Sequence, residues 1–399
     1  MKNQLPKKQA DNSLPTFSLF KFLTNETVRS YFFQTFVVLS LISLIVFIVI
    51  NTSNNLSERG LSVRFGFLNE QSFFDINQRL ISYSSTSTYG RALLVGLLNT
   101  LVVAILGILT ATIIGFTAGI LRLSNNWLIS RTVTLYVEFT RNVPVLLQII
   151  FWWITITSLP KYASSISFGE LIFLNNRGFR IPSPILNDGI FWIFLSSVLS
   201  ILFVIFIAKW ASKRKKLTGK SFPTFLVSIF IVIIFPLLVY NFLGQPLEWS
   251  IPEKTRFNFK GGFHLTPELI ALWWALSTYT GAFISEIVRS GILSVSKGQI
   301  EAANSLGLKP KITMRKIIIP QALRVIIPPL TSQHLNLTKN SSLAIAIGYQ
   351  DFVSIGNTVL NQSGQAIAVV AIWMVVYLSL SLATSAFMNW YNQRIKFVE

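Results

Sequence analysis

The sequence contains no cysteine and only two histidines, His264 and His334, in 399 residues. Without cysteine there is no disulfide framework, thiolate metal site or cysteine nucleophile, and two imidazoles leave little for a metal cluster. Charge is scarce as well. Asp, Glu, Lys and Arg make up 12% of the chain, against about 25% in ordinary soluble domains. Half the usual quota cannot cover the surface of a water-soluble protein of this length, and 52% of the residues are hydrophobic. The chain is therefore expected to be an integral membrane protein. No grouping of nucleophile, base and metal ligands appears, so a membrane-embedded enzyme gains no support.

Acidic residues are the scarcer sign, 15 against 34 basic ones, for a net charge of +19. In a soluble protein this excess suggests nucleic acid; in a membrane protein it marks loops facing anionic lipid on the cytoplasmic side. The distribution decides. Lys2, Lys7, Lys8, Lys21 and Arg29 precede the first apolar run, and further clusters fill Lys209 to Lys220 and Lys297 to Arg324. The segments assigned to the outside balance their charges. The sequence thus predicts membrane lipid and no nucleic acid as a partner, with both termini cytoplasmic. No small-residue cleavage site follows the first run, which reads as an uncleaved anchor.

A helix needs about 20 apolar residues to cross the hydrocarbon layer. Eight stretches qualify: Tyr31 to Ile50, Ala92 to Leu121, Phe139 to Leu159, Gly189 to Ala208, Pro223 to Leu243, Thr266 to Ile292, Leu323 to Ile347 and Ala366 to Trp390. Because backbone polar groups must be satisfied within each span, an all-α bundle of about eight transmembrane helices is predicted. Residues 1–30 form an inner tail, 31–91 the first span and an outer loop, 92–393 the main bundle with additional spans between about 161 and 260, and 394–399 an inner tail. No outer loop is long enough to fold as a domain of its own. Gly115-x-x-x-Gly119 suits close helix packing. Internal repeats of the kind that build secondary transporters are not evident.

The inner loop between the sixth and seventh spans carries the most specific pattern. Ser296 and Gln299 suggest a capping box, Gly307 suits a left-handed helix stop, and Pro310 suits the first turn of the next helix. The intervening helix is about three turns long, and Ala302, Ala303 and Leu306 are expected on one face. Such a helix is marginal alone, so it lies either against the bundle or against another protein.

Glu301-Ala302-Ala303, Gly307, Ile317 and Pro320 resemble the EAA loop of ABC importer permeases, with Ile319 where leucine is usual. Gly298-Gln299, Pro320-Gln321-Ala322-Leu323-Arg324, Pro328-Pro329 and Lys339-Asn340-Ser341-Ser342-Leu343 extend the likeness. Tyr136-Val137-Glu138, Arg141, Pro144 and Leu146-Leu147-Gln148 are similar to the polar amino acid permeases. The resemblance covers about Arg91 to Lys396. The chain departs from a five-span core by an added first span and the additional membrane segments, as in longer relatives of broad amino acid specificity. The resemblance implies a permease subunit in the bacterial inner membrane, with a type I permease-like core. It implies coupling to a cytoplasmic ATPase through Glu301, Ala302, Ala303 and Gly307, a second homologous permease subunit, and a periplasmic amino-acid-binding protein. ATP and Mg would belong to the ATPase, leaving this chain without a cofactor. Gly219-Lys220-Ser221 does not alter this, since Arg214 occupies the position of a phosphate-loop glycine.

Ionisable groups at membrane depth need a reason. Glu138 and Arg141, and Glu286 and Arg289, stand at i, i+3 spacing and are expected to pair within their helices, either as a gate or as structural pairs. Lys339, beside Asn340, Ser341 and Ser342, either lines a path for a substrate carboxylate or snorkels to the interface. Pro328 and Pro329 are expected to kink or interrupt that span. The alternative function is a self-sufficient secondary amino acid transporter, with Glu138 or Glu286 carrying a proton.

Overall fold

The long uncharged stretches fold as long helices. The computed structural model describes residues 26–58, 63–187, 189–219 and 221–395; most of the expected N-terminal tail, together with Arg59, Asp188, Lys220 and the last residues from Lys396, lies outside them. The chain divides into Met1–Phe65 and Gly66–Glu399. In the first unit, α1 (Glu26–Glu58) exposes apolar side chains all round, Phe36, Ile45 and Phe47 among them. A helix apolar on every face belongs in an apolar solvent.

In the second unit a 3-10 turn (Gly66–Asn69) precedes α2 (Tyr89–Leu121), α3 (Trp127–Asn142) and α4 (Val145–Thr157). Strands β1 (Ile166–Phe168), β2 (Ile172–Asn175), β3 (Gly178–Ile181) and β4 (Ser183–Leu186) lead to α5 (Ile190–Thr218) and α6 (Thr224–Phe242). After β5 (Leu247–Ser250), β6 (Glu253–Lys254), β7 (Phe259–Lys260) and β8 (Phe263–Leu265) come α7 (Pro267–Leu293) and α8 (Lys297–Ser305). The chain ends with α9 (Pro310–Thr313), a π turn (Met314–Ile318), α10 (Ile319–Asn340), a 3-10 stretch (Ser341–Ile347), α11 (Phe352–Ser363) and α12 (Ala366–Ile395).

Among the described residues, five helices are long and apolar enough to cross a membrane, or seven if each of two bent pairs counts as one span. The expected third span is one such pair: α3 and α4 meet at 107°. Pro144 at the start of α4 forces its predecessor Val143 into an extended conformation, ψ 128°, which ends α3. Gln148 closes the break by donating to the carbonyls of Thr140 and Val143, both at 2.9 Å. The other pair bends by 55° between the 3-10 stretch and α11. The expected sixth span, α7, is 27 residues long but falls outside the five and seven. It is the most enclosed helix, with Leu272, Ala275, Leu276, Ala282 and Ile284 at 0% exposure. A helix shielded from lipid by its neighbours can carry Ser277, Thr280, Ser285 and charges at lower cost.

Close packing of α2 on α7 explains the glycine motif. A Cβ on Gly115 would collide with Ile284, and one on Gly119 would lie 2.7 Å from Val288 Cβ. The fit is reciprocal, because a Cβ on Gly281 would meet Ile114 Cγ2 at 2.9 Å. Of the two expected effects of Pro328 and Pro329, interruption does not occur, since both lie inside a continuous α10. The departures from α geometry flank them, as the π turn before α10 and the 3-10 stretch after it.

The strands were not anticipated. β1-β2-β3-β8 form an antiparallel sheet, β4 pairs with β5 and β6 with β7. Segments on either side of the α5–α6 hairpin thus fold together, around buried Tyr162, Phe173 and Phe259. Neither loop forms this cap alone: β8, from the later loop, completes the sheet begun by the earlier one.

Candidate functional site

The short inner helix α8 is held at both ends. Ser296 is its N-cap by position, but its side chain makes no capping bond, so the expected capping box does not form. The backbone carbonyl of Ser296 accepts from Gln299 N instead, at 3.1 Å. At the other end the N–H of Gly307 reaches Asn304 O (2.9 Å) and that of Leu308 reaches Ala303 O (3.1 Å), with φ +70° at Gly307. These are the paired bonds of a Schellman stop, which needs a left-handed residue where glycine has no Cβ penalty.

The expected single face of Ala302, Ala303 and Leu306 is divided. Ala303 is buried at 1% and turns inward, whereas Leu306 is 78% exposed. Gly298, Glu301, Ala302 and Ser305 share the outward side with it. At 100° per residue, 303 points away from the direction shared by 298, 302 and 305. Gln321 Nε2 donates to Gln299 Oε1 at 3.4 Å, tying α8 to the start of α10.

Near the same end of the bundle Glu286 gathers three arginines. Its carboxylate accepts from Arg122 Nη1 at 2.5 Å and Arg289 Nη2 at 2.8 Å, and stands 3.9 Å from Arg141 Nη1. The predicted Glu286–Arg289 pair is present. The predicted Glu138–Arg141 pair is not: Glu138 is exposed without an ion pair among the described residues, while Arg141 extends toward α7 and over the Phe283 ring at 5.2 Å. A partly buried carboxylate and an aromatic face offer the guanidinium more than a solvated glutamate. Arg122, the C-cap of α2, was missed because it follows the apolar run and reads as loop. The cluster joins α2, α3 and α7. Tyr136, on α3, adds a hydrogen bond to Thr278 O of α7 at 2.7 Å.

Further along α10 the expected polar group is dispersed. Lys339 is exposed and Asn340 half-buried. Ser341 is buried and donates to Thr338 O at 2.7 Å, and Ser342 donates to Lys339 O at 2.8 Å. Both hydroxyls therefore serve the backbone of their own turn. A polar seam that sequence reasoning missed lies deeper: Thr110 Oγ1 contacts Ser277 Oγ at 2.5 Å and accepts from Trp273 Nε1 at 3.1 Å, while Thr112 Oγ1 meets His334 Nε2 at 3.1 Å. Its only signal was single hydroxyls within apolar runs. The bend before α11 is clamped by α2, where Asn99 Nδ2 donates to Gln350 O at 2.9 Å and Thr100 Oγ1 accepts from Phe352 N at 3.0 Å. Among the described residues no three His, Asp or Glu come together to hold a metal.

The family described as binding-protein-dependent transport system inner membrane component matches residues 200–397. A general L-amino acid transport system permease protein of Rhizobium johnstonii is 51% identical over 93% of both chains. A putative amino-acid ABC transporter permease protein of Escherichia coli is 48% identical over 94% of this chain and 96% of its own. A glutamate/glutamine/aspartate/asparagine transport system permease protein of Rhodobacter capsulatus is 39% identical over 96% and 97%. A crystal structure of an amino acid ABC transporter with histidines covers 77% of this chain and 95% of its own, at 18% identity and a TM-score of 0.45. The three sequence relatives span the added helices as well as the common core, and they set aside the self-sufficient secondary transporter. The chain belongs to the ABC importer permeases, the multi-pass inner membrane components of binding-protein-dependent transport systems.

Proposed function

We propose that this chain forms half of the membrane conduit of an ATP-driven importer of L-amino acids, with both termini in the cytoplasm. The observation that carries this reading is the 51% identity along 93% of a general L-amino acid permease. The geometry of α8 supports it. Glu301, Ala302 and Gly307 lie outward with Leu306, where small side chains let a partner's groove approach closely, while Ala303 anchors the helix inward. The partner is a cytoplasmic ATPase that binds ATP and Mg, so this chain is itself no enzyme and holds no cofactor. A second homologous permease completes the conduit, and a periplasmic binding protein delivers the amino acid.

Coupling in this reading is a difference in contacts between two states. Motion of the ATPase shifts α8, which connects through the stop at Gly307, α9 and the π turn to the helix that carries Lys339. The Glu286 cluster is a structural brace in its present form, since its carboxylate is held by three arginines. Lys339 and Asn340 are the proposed lining of the conduit, supported, among the described residues, by their freedom from the backbone bonds that hold the Ser341 and Ser342 hydroxyls to their own turn. The test is reconstitution. Vesicles holding this chain, the second permease, the ATPase and the binding protein should accumulate labelled L-amino acids only with ATP on the ATPase side. Uphill uptake by this chain alone would refute the reading.

A further inference from the structure

The β cap holds a small polar crevice of about 240 Å³, lined by Asn175, Arg177, Arg180, Asn258, Phe259 and His264. This far exceeds the roughly 10–15 Å³ that admits one water. β3 and the turn before it bring Arg177 and Arg180 to the crevice, and β8 places His264 directly opposite Arg180 in the sheet register. Neither guanidinium makes a hydrogen bond or an ion pair among the described residues; Arg177 lies only over the Tyr162 ring, 5.7 Å from its centroid. The side chains of Asn175 and His264 are committed. Asn175 donates to Ser165 Oγ at 2.9 Å and accepts from Arg177 N at 2.8 Å. His264 Nε2 meets the Arg177 carbonyl oxygen at 2.6 Å, and since a carbonyl only accepts, Nε2 carries the proton. The ring is therefore neutral when Nδ1 is bare and leaves the two arginines as the charges of the site. Lys254 stands over the same tyrosine ring at 5.6 Å and donates to the Ala163 carbonyl.

Two like charges facing one crevice whose lining holds no acid are unfavourable until an anion arrives, and guanidinium forks match a carboxylate geometrically. We infer that this crevice is a carboxylate-binding site on the outer face of the permease. The inference rests on the proposed function, which puts the cap in the periplasm. There a carboxylate comes from one of two sources, an acidic side chain of the docking binding protein or the amino acid it releases.

The experiment uses the assembled transporter in nanodiscs and compares wild type with the double variant Arg177→Gln, Arg180→Gln. An at least tenfold weaker affinity for the amino-acid-loaded binding protein assigns the carboxylate to the docking protein. Unchanged affinity with an at least tenfold slower uptake at saturating binding protein assigns it to the travelling amino acid. Arg180→Lys keeps the charge without the fork and should recover part of either loss. Unchanged affinity and uptake overturn the site, and so does a melting temperature lowered equally by the Gln and Lys variants, which would make the arginines structural. Failure of the parent reading shows separately, as wild-type transporter without ATP-dependent uptake.

Discussion

Arg122 and Glu286, 164 residues apart in sequence, form a 2.5 Å ion pair that fastens the end of α2 to α7. The Arg122 side chain is only 9% exposed and its Nε has no hydrogen-bond partner. Its charge therefore depends on Glu286. Replacing Glu286 with Gln strands it, and removing one member of a buried pair costs roughly 3–5 kcal/mol. Because Glu286 is 29% exposed, a loss on the order of 2 kcal/mol is expected here. A double-mutant cycle with Arg122→Gln, followed by thermal unfolding in detergent, should return a larger coupling than the same cycle with Arg141, which lies at 3.9 Å. Equal couplings would remove the brace.

That pair also marks where reading the sequence stops. The long spans are legible because each is a local property, and Gly307 and Pro310 are legible because helix ends obey local rules. Glu138 and Arg141 satisfied the local rule for pairing, yet the arginine found a better partner on α7. The cap was invisible for a similar reason. Its strands are two to four residues long, and Phe179 of β3 pairs with Leu265 of β8 across the whole α5–α6 hairpin. At α8 the end signals located the helix, but only packing against the rest of the protein decides that Ala303 turns inward while Leu306 does not.

Helix packing offers a direct check. Gly119→Leu forces a side chain against Val288, 2.7 Å from where its Cβ would stand. Overpacking of this kind costs roughly 1–3 kcal/mol, and here both helices are central. The melting temperature should fall and the protein should be recovered in lower yield. Gly298→Ala, with nothing within 4 Å, should melt like wild type.

The divided face of α8 predicts divided consequences. Ala303→Leu places a larger group where exposure is 1% and should lower the melting temperature. Ala302→Leu lies on the exposed side and should leave melting unchanged while weakening co-purification of the ATPase several-fold. If both substitutions act alike in both measurements, the two faces are not functionally distinct.

Gly307→Asp separates conformation from docking. Nothing lies within 4 Å of an added Cβ, and Asn and Asp tolerate the left-handed region better than other side chains. The helix stop should survive at a cost of about 1 kcal/mol, whereas the new charge at the docking edge should abolish ATPase association and uptake. Gly307→Asn carries the same backbone cost without the charge and should retain much of both. Normal uptake by the Asp variant would count directly against the coupling role.

His264 predicts how the cap responds to acid. Burial holds its pKa below the usual value near 6.5; the hydrogen bond to the Arg177 carbonyl opposes this, as does the Glu268 carboxylate, while the charges of Arg180 and Arg177 add to the depression. The unfolded cap therefore binds a proton more readily than the folded one. Stability contributed by the neutral ring is complete above about pH 6.5 and declines as pH falls from there toward the lowered folded value. Histidine is the only side chain whose ordinary pKa puts its change of charge near this window, so the change is assigned to His264. Hydrogen exchange of the backbone amides in 166–186 and 247–265 should accelerate between pH 6.5 and 5 beyond the intrinsic pH dependence, while amides of α2 should not. His264→Gln, which keeps a donor for the Arg177 carbonyl and cannot charge, should flatten that response. If the variant retains the full acid sensitivity, another group governs the cap.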